Sequence, residues 1–112
     1  MVSIEDFQQF ALAFPESTEE PHFEKTSFRI KKKIFATMDA AAKTSTLKLT
    51  EVQQSVFCAW DLTAVSPVPN KWGKQGWTIL RLDKVNEEFT RDILKAAYCN
   101  VAPKKLAESV DS

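Results

Sequence analysis

Three residues, Lys31-Lys32-Lys33, separate the β-rich run Phe28-Arg29-Ile30 from the next one, Ile34-Phe35-Ala36-Thr37-Met38. A parallel pair needs a crossover of about a dozen residues or more, so strands this close in sequence pair antiparallel. The tight basic turn therefore predicts a hairpin, although neither Gly nor Asn marks its turn type. Thr46-Leu47-Lys48-Leu49 alternates and supplies a third strand. Trp77-Thr78-Ile79-Leu80-Arg81-Leu82, β-branched and aromatic, is the clearest strand in the chain.

Helical signals interrupt and flank these runs. Ser3 stands as an N-cap before Ile4, Phe7, Phe10, Ala11 and Phe14, an apolar stripe at helical spacing. Glu5 and Asp6 occupy the first turn, where the helix dipole favours acids. Pro15 ends that helix, and the residues to Pro21 read as an acidic loop. Thr50 with Gln53 has the pattern of a capping box, and Val52, Val56, Phe57 and Trp60 then form one face of a short helix. Val65 to Gly76 holds both glycines and two prolines, and so reads as a loop or an irregular strand. Asn86, Glu87 and Glu88 open a long helix with Phe89, Ile93, Leu94 and Ala97 on one face, and Pro103 starts a short helix through Leu106.

The order α, β, β, β, α, β, α contains no βαβ repeat. The fold class it predicts is α+β, a mainly antiparallel sheet with helices packed on one face. A chain of 112 residues buries about two-thirds of its surface on folding, so residues 1–112 form one domain without metals or disulfides. No apolar run is long enough to span a bilayer, and Met1-Val2-Ser3-Ile4-Glu5-Asp6 has no basic or apolar leader character. A cytoplasmic monomer is the expectation.

Lys and Arg number 15 and Asp and Glu number 15, giving zero net charge, but the charges are segregated. Residues 1–24 carry six acids and no Lys or Arg, whereas residues 25–48 carry seven bases against Asp39 alone. Arg29, Lys31, Lys32 and Lys33 concentrate at the hairpin, where they neutralise phosphates or simply blunt a sheet edge. A second basic stretch, Asn70-Lys71-Trp72-Gly73-Lys74-Gln75-Gly76-Trp77, interleaves aromatics. Trp72 there stacks on a base or caps the core.

Other chemistry has little support in the sequence. Cys58 and Cys99 make no Cys-x-x-Cys pattern and read as small core hydrophobes. His22, the one histidine, has neither a second His nor a nucleophile pattern beside it, so a catalytic triad or zinc site has no basis. Two glycines cannot supply a phosphate-binding loop, and the acids of residues 1–24 lack the spacing of a metal site. The chain is expected to be no enzyme and to carry no metal or cofactor.

The ordered blocks Ser27-Phe28-Arg29-Ile30, Lys33-Ile34-Phe35-Ala36, Leu47-Lys48-Leu49, Gly76-Trp77-Thr78-Ile79-Leu80-Arg81-Leu82-Asp83 and Ala97-Tyr98-x-x-Val101 resemble the YjbR/MmcQ-like family, small bacterial proteins of unknown function. The resemblance runs from Ile4 to about Leu106. It implies a CyaY/frataxin-like α+β fold and a DNA-binding role of the proposed double-wing kind. Family members often carry Gly in the hairpin turn, where this chain has Lys32 before Lys33.

The leading expectation is a non-enzymatic DNA-binding protein. Its contacts are Arg29, Lys31, Lys32 and Lys33 on one wing and Lys71, Trp72 and Lys74 on the other. The alternative is a protein- or small-ligand-binding module with an apolar face beside Trp72 and Trp60. Neither reading involves a membrane.

Overall fold

The computed structural model describes residues 1–111. Its elements run α1 (Ile4–Leu12), β1 (Thr18–His22), β2 (Lys25–Ile30), β3 (Lys33–Asp39), β4 (Thr44–Lys48) and α2 (Glu51–Trp60). They continue with β5 (Val65–Pro67), α3 (Lys71–Lys74), β6 (Trp77–Arg81), α4 (Glu87–Val101) and α5 (Lys104–Asp111). The strands form one sheet in the order β1-β2-β3-β4-β6-β5, with every neighbouring pair antiparallel. The α+β class stands.

The sheet has one covered and one open face, and strand periodicity decides which residue goes where. Phe28, Ile30, Leu47 and Leu80 point to the helices and are fully buried. Between β2 and β3 the register shifts: Phe28 faces Ala36 but Arg29 faces Ile34. Phe35 is the extra residue of this bulge, which lets Phe35 and Ala36 both enter the core although they are consecutive. Tyr98 of α4 closes the core from the helix side. Its ring stacks on Phe14 at 4.8 Å and meets Phe35 edge-on at 5.4 Å, while its hydroxyl donates to the Pro15 carbonyl at 2.6 Å.

Helix ends follow the sequence signals. Ser3 Oγ accepts from the Asp6 amide, Asn86 Oδ1 accepts from the Phe89 amide, and Thr50 with Gln53 forms a complete capping box. These side chains satisfy amides that the first helical turn leaves unpaired.

Three expectations need correction. The acidic segment before Pro21 is strand β1, paired from Thr18↔Arg29 to His22↔Lys25. It sits at the sheet edge, where Pro21 is tolerated because no outer neighbour needs its amide. The span from Val65 to Gly76 contains strand β5 and the one-turn helix α3. The last helix continues past Leu106 to Asp111. The apolar face of α2 is split: Phe57 packs against the core and Cys58 is the one buried residue of the helix, while Val52, Val56 and Trp60 are exposed.

Candidate nucleic-acid interface

The β2–β3 hairpin closes through Lys31 and Lys32, with Ile30 paired to Lys33. Both central residues have positive φ, 52° at Lys31 and 70° at Lys32, as a type I′ turn requires. Glycine adopts this conformation freely, whereas lysine is strained in it. The turn therefore keeps two cations at a position where the backbone alone would favour Gly.

Antiparallel topology then decides which loops are neighbours. β2 runs toward the Lys31-Lys32 turn and β3 runs away from it. β4 returns toward the same end, β6 leaves it, and β5 ends there before α3. The hairpin tip and the α3 loop thus emerge at one end of the sheet. Three strand spacings separate them, about 14 Å.

Two glycines anchor the second loop. A Cβ on Gly73 would lie 2.0 Å from the Val68 carbonyl oxygen, and one on Gly76 would lie 1.9 Å from that of Leu49. Asn70 caps α3 through its Oδ1, which accepts from the Trp72 amide at 2.8 Å. That bond fixes the start of α3. Trp72 is 49% exposed, and its indole carries Lys71 Nζ at 5.9 Å from the ring centre.

The acidic N-terminal segment reaches back onto the basic hairpin. Lys31 Nζ pairs with Glu16 at 2.7 Å. Arg29 is not at the hairpin tip: it lies along β2, its Nε donating to Ser27 Oγ at 3.0 Å with a Glu20 carboxylate oxygen 3.8 Å away. Arg29 is thereby drawn onto the sheet surface and away from the wing. Lys32 and Lys33 are exposed, as are Lys71 and Lys74 on the other loop.

The sequence reading missed the open face of the sheet itself. Lys25, Ile34, Thr37, Thr46 and Trp77 line a groove of about 510 Å³ with His22, Val68 and Trp72. Thr37 and Thr46 are direct cross-strand partners, and Trp77 pairs with Lys48, whose Nζ lies 5.5 Å from the Trp77 ring centre. The alternation Thr44, Thr46, Lys48 was the available signal, since alternate strand residues share one face. Trp77 lines this face half-buried and does not fill the core.

Trp60 is on the other layer, stacked on Phe89 of α4 at 4.4 Å. The apolar face expected beside both Trp72 and Trp60 is therefore two surfaces on opposite sides. Cys58 is buried, and burial pushes its thiol up from the usual range, so it stays protonated at neutral pH. Among the described residues no group of three or more His, Cys, Asp or Glu comes together to hold a metal ion. No helix of the described residues is long and apolar enough to cross a membrane.

These features define a small α+β domain with helices on one face of an antiparallel sheet, an open groove on the other, and two basic loops at one end. The chain belongs to the YjbR family, whose model matches residues 12–100. A similar solved structure is the crystal structure of Deinococcus radiodurans protein DR2400, which carries a DUF419 domain. It is 20% identical, with a TM-score of 0.77 over 89% of this chain and 78% of that one, a likeness that concerns the fold. No curated protein matches the chain.

Proposed function

We propose that this protein is a non-enzymatic DNA-binding protein that contacts phosphates with the basic loops at one end of its sheet. The observation that carries the reading is topological. Loops some 40 residues apart in sequence emerge together, one tipped by Lys31 and Lys32 and the other bearing Lys71, Trp72 and Lys74. Cations so placed bind by displacing counterions from the phosphate backbone, with little base readout.

Pairing with acids grades the cations. Lys32 and Lys33 are free to meet phosphate, whereas Lys31 must first leave Glu16. Replacing Lys31, Lys32 and Lys33 together with Gln should reduce the slope of log K against log salt by about two, at roughly 0.9 for each phosphate no longer neutralised. Fluorescence anisotropy on a labelled duplex measures that slope. Unchanged binding in the triple variant would remove the hairpin from the interface.

Glu16→Gln should act in the opposite direction. It releases Lys31 and should steepen the salt slope by up to about one. An unchanged or shallower slope in this variant would mean that Lys31 does not reach DNA.

The second reading, a protein-binding module, is favoured by the exposed apolar flank of α2, where Val52, Val56 and Trp60 are joined by Leu62 beyond the helix. It predicts DNA affinity close to zero in low salt.

A further inference from the structure

We propose that the open-face groove holds unpaired bases of single-stranded DNA, stacked on Trp72 and Trp77. The proposal rests on the reading of the basic loops as a DNA contact and names the form of DNA that the protein takes.

Three observations support it. First, the groove pairs a stacking surface with cations. Trp72 and Trp77 supply two indoles, Lys71 and Lys48 stand near their rings, and Lys25 lies among the lining residues. Although the chain has 15 acids, none is among the residues that line the groove. This distribution matches a strand whose backbone is anionic and whose bases are flat and apolar. Bases in a duplex already stack on their neighbours, whereas unpaired bases have faces free for an indole.

Second, the floor is polar at one place. Thr37 and Thr46 face each other across β3 and β4, where their hydroxyls can bond to a base edge. Four strand spacings, about 19 Å, separate the strand of Trp77 from that of His22. At a stacked rise of about 3.4 Å per nucleotide, that span accommodates several bases.

Third, a strained, exposed aromatic stands beside the far end of the groove. Phe23 follows the groove residue His22 at the β1–β2 turn, its ring centre 4.9 Å from the imidazole. It is 93% exposed and has φ of 60°, a conformation that a bulky side chain rarely adopts. Folding gains little from a phenyl ring held this way in water. Contact with a ligand entering the groove accounts for it.

The test uses the full chain with Trp60→Phe as background, so that emission reports Trp72 and Trp77. Protein is titrated against a ~12-nucleotide oligo-dT strand and against a duplex of equal length, at about 50 and 200 mM salt. Tighter binding of the single strand with quenched emission is expected. Trp72→Ala should weaken single-strand binding at least about fivefold, the low end for one stacked base, and weaken duplex binding by a smaller factor. Trp72→Phe should restore part of the loss. Phe23→Gly should weaken single-strand binding while the melting temperature stays level or rises, because Gly relieves the turn.

The outcomes separate the two readings. Duplex binding equal to or tighter than single-strand binding, with Trp72→Ala affecting neither form or both alike, overturns the groove proposal and leaves the basic loops standing. Single-strand binding that is lost in Trp72→Ala but indifferent to the triple Gln change at Lys31, Lys32 and Lys33 supports the groove and removes the hairpin. Failure to bind either DNA at low salt overturns both.

Discussion

Gly76→Ala should destabilise the protein by about 3 kcal/mol or more, enough to shift the urea midpoint far beyond experimental error. Two effects act together at this residue. Its φ is +103°, outside the range that a residue with a Cβ adopts readily, and the new carbon would come within 1.9 Å of the Leu49 carbonyl oxygen. That oxygen cannot move aside alone, because Leu49 is buried and its amide donates to the Gly76 carbonyl at 3.0 Å. Gly73→Ala has the steric conflict with Val68 alone, and should cost less in global stability while displacing α3. Its signature is therefore functional. Urea denaturation of both variants, followed by DNA titration of the Gly73 variant, separates the effects. A Gly76→Ala protein with a wild-type midpoint would show that the packing of β6 against the end of β4 is loose enough to admit a methyl group.

Tyr98→Ala should cost about 3–5 kcal/mol, the usual range for removing a large aromatic from a packed core. The ring is fully buried between Phe14 and Phe35, so neither neighbour can collapse into the space without leaving the other. Tyr98→Phe keeps that packing and removes the hydroxyl that donates to Pro15, and about 1 kcal/mol is expected. A loss below about 1.5 kcal/mol for Tyr98→Ala would contradict a tight core here.

The same residue predicts a pH dependence. Burial first, then the nearby Glu16 and Cys99, pushes the Tyr98 hydroxyl above its ordinary value of 10.0. The folded protein thus holds this proton more tightly than the unfolded chain does. The resulting stability is fully present below about pH 10 and is lost as pH rises from there through the folded value. Wild type should lose stability more steeply than Tyr98→Phe across that alkaline range. Parallel curves from urea titrations would assign the alkaline loss to other groups.

Some of this was legible from local signals because the relevant forces act within a few residues. Ser3, Thr50 and Asn86 cap helices through bonds to amides three positions away, and a sequence displays that spacing directly. The stripe Phe89, Ile93, Leu94 and Ala97 marked the inward side of α4, where Ile93, Leu94 and Ala97 are buried. On α2 the same reasoning found a face but did not say what lies against it. Val52, Val56 and Trp60 are periodic, but periodicity carries no information about whether another element covers the stripe. Strand β1 was invisible for a related reason. Thr18-Glu19-Glu20-Pro21-His22 has little strand propensity, and its pairing to β2 is what makes it extended.

The candidate site divides along the same line. Sequence alone identified the two basic stretches and the unusual Trp72, because composition is a local property. It could not show that Glu16 returns to Lys31, that Glu20 draws Arg29 onto the sheet, or that Trp72 and Trp60 part to opposite layers. It had no means to assemble a groove from five strands and the α3 loop.

What the sequence by itself determined is the antiparallel hairpin, the helix caps, the α+β class and the charge segregation. Each of these follows from sterics, short-range hydrogen bonds or composition within a few residues. Tertiary structure alone decided which sheet face stays open, which lysines keep their charge free, and that the loops around Lys32 and Trp72 share one end. Those outcomes depend on long-range strand pairing, where order and direction in the sheet bring together residues that are far apart in the chain.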